Sequence, residues 1–191
     1  MTLFRIDDVS RNTSFERLDK MLGTLLKFEP DCEFLLAVSP IVFEIEDENP
    51  IVRERPFPAI LNAFSNKDVF FDGGRIGIPD WLDEIKSRYA NLKLAAHGLF
   101  HVDHRLLEAE TQNLSIRQSC AIVGSKLFVP PFNKWTDNMV AYSALNGFEL
   151  VIWEEGWRHL KYQKLESGPG LRYYFHTHDF SDSEFDSRFE S

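Results

Sequence analysis

Short apolar runs alternate with amphipathic helical segments along most of this chain, and several of the runs stop at residues able to do chemistry. Strands separated by helices pair in parallel rather than as hairpins, so the pattern limits the fold to a parallel α/β sheet, open or barrel-like. Strands are expected at Leu3 to Asp7, Glu33 to Val38, Val69 to Phe71, Leu92 to Ala96, Leu127 to Val129, Phe148 to Trp153 and Arg172 to His176. Phe15, Leu18, Leu22, Leu25 and Leu26 recur at helical spacing up to Pro30, behind a Thr13/Glu16 capping box. Further helices are expected over Pro79 to Ala90, from Leu106 to about Gly124, and from Thr136 to Leu145, the last closed by Asn146-Gly147. The charged stretch within 41 to 67 reads as a surface excursion. No repeat or low-complexity linker interrupts the pattern. One domain over 1–191 is therefore expected, with an acidic tail at 180–191 that frays or docks through Phe180, Phe185 and Phe189.

Asp7-Asp8 ends the first strand. Neighbours on a strand point to opposite faces, but at its last pleat both carboxylates can reach one site. Two carboxylates that close divide their work: one binds a metal, the other acts as a base toward its water. The plainer alternative is a strand-end Asp capping the turn at Ser10 and Asn12.

His97 and His101 stand four apart, after an apolar strand, with Gly98 free to turn the backbone between them. On a helical turn that spacing puts both rings on one face, an arrangement suited to a zinc-type ion. His104, one turn on, either competes with His101 or is a solvated helix residue.

His176-Thr177-His178-Asp179 follows the last strand. His178 is a candidate general acid, with His176 behind it or on the other side. A His-x-His pair is also a metal motif of amidohydrolases, where it lies near the start of the domain. Asp179 either orients an imidazole or simply begins the acidic tail. Phe128-Val129-Pro130-Pro131-Phe132-Asn133 is a stiff element that can present the Phe132 N–H to an oxyanion, or is only a rigid loop.

The formal net charge of -9 argues against nucleic acid or an anionic membrane as the main partner. Seventeen Phe and four Trp are more rings than a sugar site needs, so most belong to the core. Two cysteines, Cys32 and Cys120, are expected as buried free thiols rather than a disulfide. No run reaches the ~20 apolar residues of a membrane span. The first residues lack the basic and apolar regions of a signal peptide, so a cytoplasmic location is expected.

The order Asp-Asp, His-x3-His, Pro-Pro-aromatic and a late strand ending in His, from Phe4 to Asp179, resembles the polysaccharide deacetylase family. These are the NodB-homology enzymes, or family 4 carbohydrate esterases. The resemblance implies a distorted, incomplete (β/α) barrel of about seven parallel strands. It implies removal of an acetyl, or conceivably formyl, group from the nitrogen of a carbohydrate or sugar-bearing precursor. It implies one divalent metal, Zn2+ foremost, with Co2+, Ni2+ or Mn2+ as alternatives. By position, Asp8, His97 and His101 would be ligands, Asp7 the base and His178 the acid. Pro131, Phe132 and Trp153 would face the oxyanion or substrate, supported by Arg5 and His176.

Three departures accompany the resemblance. Arg5-Ile6 replaces Thr-Phe before the aspartates. Val129 stands where the family has an Arg that pairs with the base, so Arg5, two residues before Asp7, is expected to supply that cation. The family's Asp-x-x-Trp motif is not distinct around Trp153, Glu154, Glu155 and Trp157, which leaves the partner of His178 open. Two rivals remain: another metal hydrolase, of amidohydrolase or phosphoesterase type, and a carbohydrate-binding relative without activity.

Overall fold

A computed structural model describes residues 1–40, 78–99, 101, 103–152, 156–163, 165–166 and 168–187. The expected strand at Val69 to Phe71, the excursion within 41 to 67, and Trp153, Glu154, Glu155 and Phe189 lie outside the described residues. The described residues form seven strands: β1 (Leu3–Val9), β2 (Glu33–Val38), β3 (Leu92–Ala96), β4 (Leu127–Phe128), β5 (Glu149–Leu150), β6 (Trp157–His159) and β7 (Arg172–His176). They form one sheet in the order β5-β4-β3-β2-β1-β7-β6, and every pairing is parallel. The sheet curls into a half-barrel with β5 and β6 at its open edges, the incomplete (β/α) barrel expected from the sequence.

The helices are α1 (Phe15–Phe28), α2 (Leu82–Arg88), α3 (Ala109–Val123), α4 (Asp137–Asn146) and α5 (Asp182–Ser187). The N-cap of α1 is Ser14, whose Oγ accepts the Arg17 N–H; Thr13 instead accepts the Ser10 N–H. The N-cap thus sits one residue later than Thr13, and with Arg17 rather than Glu16 at the third helical position the expected capping box is not formed. Gly124 and Gly147 end α3 and α4 in the left-handed conformation. The strand expected over 148 to 153 is only two residues of β5, while β6 was not anticipated. Among the described residues no helix is long and apolar enough to cross a membrane.

Period-2 alternation sorts the strand residues onto two faces. Phe4, Ile6, Phe34, Leu36, Val38, Leu94, Phe128, Tyr173 and Phe175 pack outward against helical residues such as Leu18, Leu22, Leu25, Ile85, Ile116 and Met139. Phe180 and Phe185 join this cluster, so the tail docks through those two rings. Cys32 and Cys120 are free and buried, and burial pushes their thiols up to about 11 and about 12. Neither is poised as a nucleophile.

The inner face carries a smaller apolar cluster of Leu35, Ala37, Ala95 and Val129. The β1/β7 register sets Arg5 beside Tyr174 and Asp7 beside His176, and β6 adds His159 beside Tyr174. Residues paired across a parallel sheet project to the same side, so Arg5, Tyr174 and His159 form one inner layer and Asp7 and His176 the next.

Arg5 is fully buried there. Its guanidinium carbon lies 4.9 Å from the centre of the Trp157 ring and 5.3 Å from that of Tyr174. Nη2 donates to Asp7 Oδ2 at 2.8 Å and to Asn133 Oδ1 at 2.6 Å. A buried cation needs a buried anion, and Arg5 and Asp7 satisfy each other at short range. Arg5→Met should therefore lower the unfolding free energy in urea by about 3–5 kcal/mol, and Arg5→Met/Asp7→Leu should recover most of it. An unchanged midpoint for the single variant would mean the pair is not structurally coupled.

Candidate metal centre

Backbone hydrogen bonds continue the sheet past the carboxyl ends of its strands. Ser39 N donates to Val9 O, His97 N to Val38 O, Val129 N to Ala96 O and Thr177 N to Asp7 O. Segments remote in sequence are thereby held side by side at one rim. A cavity of about 330 Å3 opens there, lined by Asp7, Asp8, His97, His101, Phe132, Asn133, His176 and His178.

Two adjacent aspartates reach this cavity because the end of β1 is irregular. The β1/β2 register shifts between Ile6 and Val9, and Asp8 has φ 62, in the left-handed region. Asp is one of the few residues that tolerates that region. Phe132 and Asn133 also have positive φ, at 56 and 54. All three non-glycine positive-φ residues among those described belong to the cavity wall, and such conformations persist only where the surroundings enforce them.

His97 lies just beyond β3 and is buried. Its Nδ1 sits 2.9 Å from Val129 O. A carbonyl oxygen only accepts, so Nδ1 carries the hydrogen and neutral His97 keeps a lone pair on Nε2. That Nε2 lies 3.3 Å from Asp8 Oδ1, and His101 Nε2 lies 3.0 Å from the same oxygen. These approaches do not have hydrogen-bond geometry: among the described residues, Asp8 Oδ1 and His97 Nε2 are buried without a hydrogen-bond partner. The three ligand atoms fall within 4.8 Å of one another. Lone pairs crowded together in this way call for a cation among them. One carboxylate oxygen and two imidazole nitrogens are the donor set of a zinc-type ion with positions left open, so the residues fit a catalytic divalent metal.

The electrostatics agree. Burial pushes the Asp8 carboxyl up, yet the imidazoles of His101 and His97 outweigh it and hold the group well below the usual carboxylate range. Burial pushes His97 down, but Asp8, Asp7 and the Val129 carbonyl together raise it. The field that favours a proton at this point favours a metal cation as well.

The histidine pair is not carried by a helix. His97 and Gly98, the latter at φ 77, are irregular, and the turn is tied down from α3. Leu99 N–H donates to Ser115 Oγ at 3.0 Å, and His104 Nε2 meets the same hydroxyl at 2.9 Å. His104 is fully buried, which corrects both expectations for it: it is neither solvated nor a ligand, and it braces the turn. The His101 ring packs against Phe132 at 4.4 Å, and Phe132 is half exposed. Pro131 is buried beneath.

Asp7 Oδ2 is held by Arg5, whereas its Oδ1 is buried with no hydrogen-bond partner among the described residues. Arg5 is thus the cation paired with Asp7, and Asn133, to which the sequence assigned no role, accepts from the same Nη2. His178 lies in the turn after β7 with its side chain 70 % exposed and Nδ1 3.9 Å from Asp8 Oδ2. His176 ends β7 itself, and its Nδ1 meets Asp179 Oδ2 at 3.0 Å. Asp179 therefore orients an imidazole, and that imidazole is His176. His159, whose Nε2 is 3.3 Å from the same oxygen, carried no legible signal.

No protein-family model and no curated protein matches the sequence. Solved structures do match the fold. A family 4 carbohydrate esterase from Streptomyces lividans, in complex with acetate, superposes with TM-score 0.56 at 14 % identity, covering 98 % of this chain and 84 % of that one. A family 4 pseudoenzyme from Bacillus anthracis gives TM-score 0.55 at 14 % identity over 98 % of this chain. This chain spans only 57 % of the Bacillus anthracis protein. A peptidoglycan deacetylase from Bacillus subtilis gives 0.54 at 12 % identity, covering all of this chain and 80 % of that one. The resemblance read from motif order is borne out as a shared fold. Because that fold hosts an esterase and a pseudoenzyme alike, the chemistry has to be read from the side chains.

Metal titration tests the donor set. One equivalent of Zn2+ should bind, and at a hundredfold excess over Kd it should stabilise the protein by about 2.7 kcal/mol in thermal unfolding. Asp8→Ala and His101→Ala should each abolish the shift. A shift that survives both substitutions would place the ion elsewhere.

Proposed function

We propose that this chain is a metal-dependent hydrolase that removes an N-acyl group, acetyl by default and formyl as the alternative, from a carbohydrate or sugar-bearing precursor. The observation that carries this reading is the convergence of Asp8 Oδ1, His97 Nε2 and His101 Nε2 beside a second carboxylate tethered by only one of its oxygens. When bound, a divalent ion, Zn2+ foremost, supplies Lewis-acid polarisation of the acyl carbonyl and lowers the pKa of a water toward ~7.

The remaining work falls to the chain's own groups. Asp8 is assigned to the ligand set through Oδ1, and a carboxylate bound to a metal cation is a poor base. Asp7 can act as the base: Arg5 fixes its orientation through Oδ2 and leaves Oδ1 to take the proton of the attacking water. The Pro130-Pro131 element, joined to Arg5 through Asn133, would hold the Phe132 N–H toward the developing oxyanion. Phe132, packed against His101 at a tilt and half exposed, offers an aromatic face to a sugar ring. The departing amine needs a proton, and the imidazoles at the end of β7, His176 and His178, are the donors within the cavity. A pseudoenzyme would be expected to lack part of this set, and here carboxylates, imidazoles and the buried cation are all present.

Asp7→Asn separates base from ligand. It should keep one equivalent of metal while acetate release from N-acetylated chitooligosaccharides falls by about 10²–10⁴-fold. Equal loss of metal and activity would move Asp7 into the ligand set. Full metal occupancy in the wild-type protein with no release of acetate or formate from any N-acylated sugar would contradict the deacylase reading.

A further inference from the structure

We propose that His176, rather than His178, protonates the departing amine, with Asp179 as the positioning carboxylate and His159 bracing that carboxylate from β6. This assignment rests on the deacylase reading above.

The argument is an inventory of hydrogens around one oxygen. Asp179 Oδ2 accepts the backbone N–H of His176 at 2.7 Å and faces His176 Nδ1 at 3.0 Å and His159 Nε2 at 3.3 Å. Burial pushes the Asp179 carboxyl up, but the backbone N–H and imidazole of His176 outweigh it, so the group stays an anion. His176 Nδ1 is hydrogen-bonded to this carboxylate, which only accepts, so that nitrogen carries a hydrogen. For His159 the tautomer is fixed by the opposite nitrogen, because its Nδ1 lies 3.2 Å from the Lys161 nitrogen and accepts its hydrogen. Neutral His159 therefore carries its hydrogen on Nε2, the atom 3.3 Å from Asp179 Oδ2.

This separates the cluster from the metal centre. His159, His176 and Asp179 also bring three ligand atoms within 4.8 Å of one another. At His97 the nitrogen facing the carboxylate bears a lone pair, because the opposite nitrogen donates to a carbonyl. At His159 the nitrogen facing the carboxylate bears the hydrogen, because the opposite nitrogen accepts from a backbone N–H. The first arrangement holds a metal and the second relays orientation. His176, donating through Nδ1, is left with Nε2 as its working atom.

Placement favours the same residue. His176 pairs in register with Asp7 on the inner face, so acid and base stand on adjacent strands. His178 is mostly exposed, its nearest carboxylate contact exceeds hydrogen-bond distance, and its ring lies 5.2 Å from that of His176. An imidazole held in place loses less freedom on reaching the transition state than one that is not.

In the proposed step, the water oxygen bonds to the acyl carbon while Asp7 Oδ1 takes one of its protons. The C–N bond then breaks, its electron pair staying on nitrogen, and His176, which enters the step as the imidazolium with hydrogens on both ring nitrogens, passes its Nε2 proton to that nitrogen. The acyl group leaves as the carboxylic acid, which ionises, and Asp7 and His176 return to their starting protonation through solvent.

Leaving-group dependence tests this. An N-acetylated chitooligosaccharide has an amine that must be protonated to depart, whereas 4-nitrophenyl acetate has a phenolate that need not be. His176→Gln should lower amide hydrolysis by about 10²–10⁴-fold and ester hydrolysis by no more than about threefold. Asp179→Asn should shift the amide-to-ester ratio in the same direction, and His178→Gln should lower both reactions by a common factor. Imidazole 15N spectra of the metal-loaded protein should show His159 as the Nε2–H tautomer and His176 protonated at Nδ1, a pattern lost in Asp179→Asn at unchanged metal content. Selective amide loss in His178→Gln, equal losses in His176→Gln, or His159 protonated at Nδ1 would overturn the assignment while leaving the deacylase reading intact. A wild-type protein inert toward both substrates would remove that reading, and this assignment with it.

Discussion

The hydrogen on His97 Nδ1 is committed to the Val129 carbonyl, and that bond decides what the rim of this half-barrel can do. It turns a buried imidazole into a fixed lone pair aimed at a carboxylate that has nothing else to accept there. Two such groups at 3.3 Å repel unless a cation lies between or beside them. The bond exists because β3 and β4 are neighbours: Val129 N donates to Ala96 O, and the Val129 carbonyl returns to the next residue along β3. The tautomer of a proposed metal ligand is thus written into sheet topology, and on that reading the outer hydrogen bond belongs to the site together with the imidazole.

Beneath the rim, Arg5 links otherwise separate parts. It lies over Trp157 and Tyr174, pairs with Asp7 and reaches Asn133 in the Pro-Pro loop. One buried guanidinium therefore anchors the carboxylate proposed as base and the loop proposed to hold the oxyanion. Both bonds leave from Nη2, while Nε and Nη1 are buried without a hydrogen-bond partner among the described residues. Asp7, Asn133 and Arg5 depend on one another, so substitutions among them should not be additive.

The architecture was legible because strand–helix alternation survives local ambiguity. β1, β2, β3 and β7 are apolar runs ended by polar residues, and α1 has a clean apolar stripe. Edge elements were not legible. β5 keeps two residues of a longer apolar run, and β6 is Trp-Arg-His, which alternation alone cannot distinguish from a loop. Asp7, Asp8, His97 and His101 could be nominated because chemistry-bearing residues followed strands. What their sequence could not show was the left-handed turn at Asp8 that lets both carboxylates face one cavity, or the irregular turn that replaces a helix beneath His101. His104 misled because its polarity suggests solvent, while its partner Ser115 lies on a distant helix face. The choice between His176 and His178 rests on hydrogen-bond partners, and His159, one of them, comes from a strand without a sequence signature.

X-ray absorption at the zinc edge of the stoichiometrically loaded protein tests the central claim most directly. Convergence of Asp8, His97 and His101 predicts a shell of oxygen and nitrogen at about 2.0–2.1 Å, with the outer-shell scattering of two imidazoles. In Asp8→Ala that signature should disappear. Scattering from no imidazole, or a two-imidazole signature that survives Asp8→Ala but is lost in Asp179→Ala, would contradict the account.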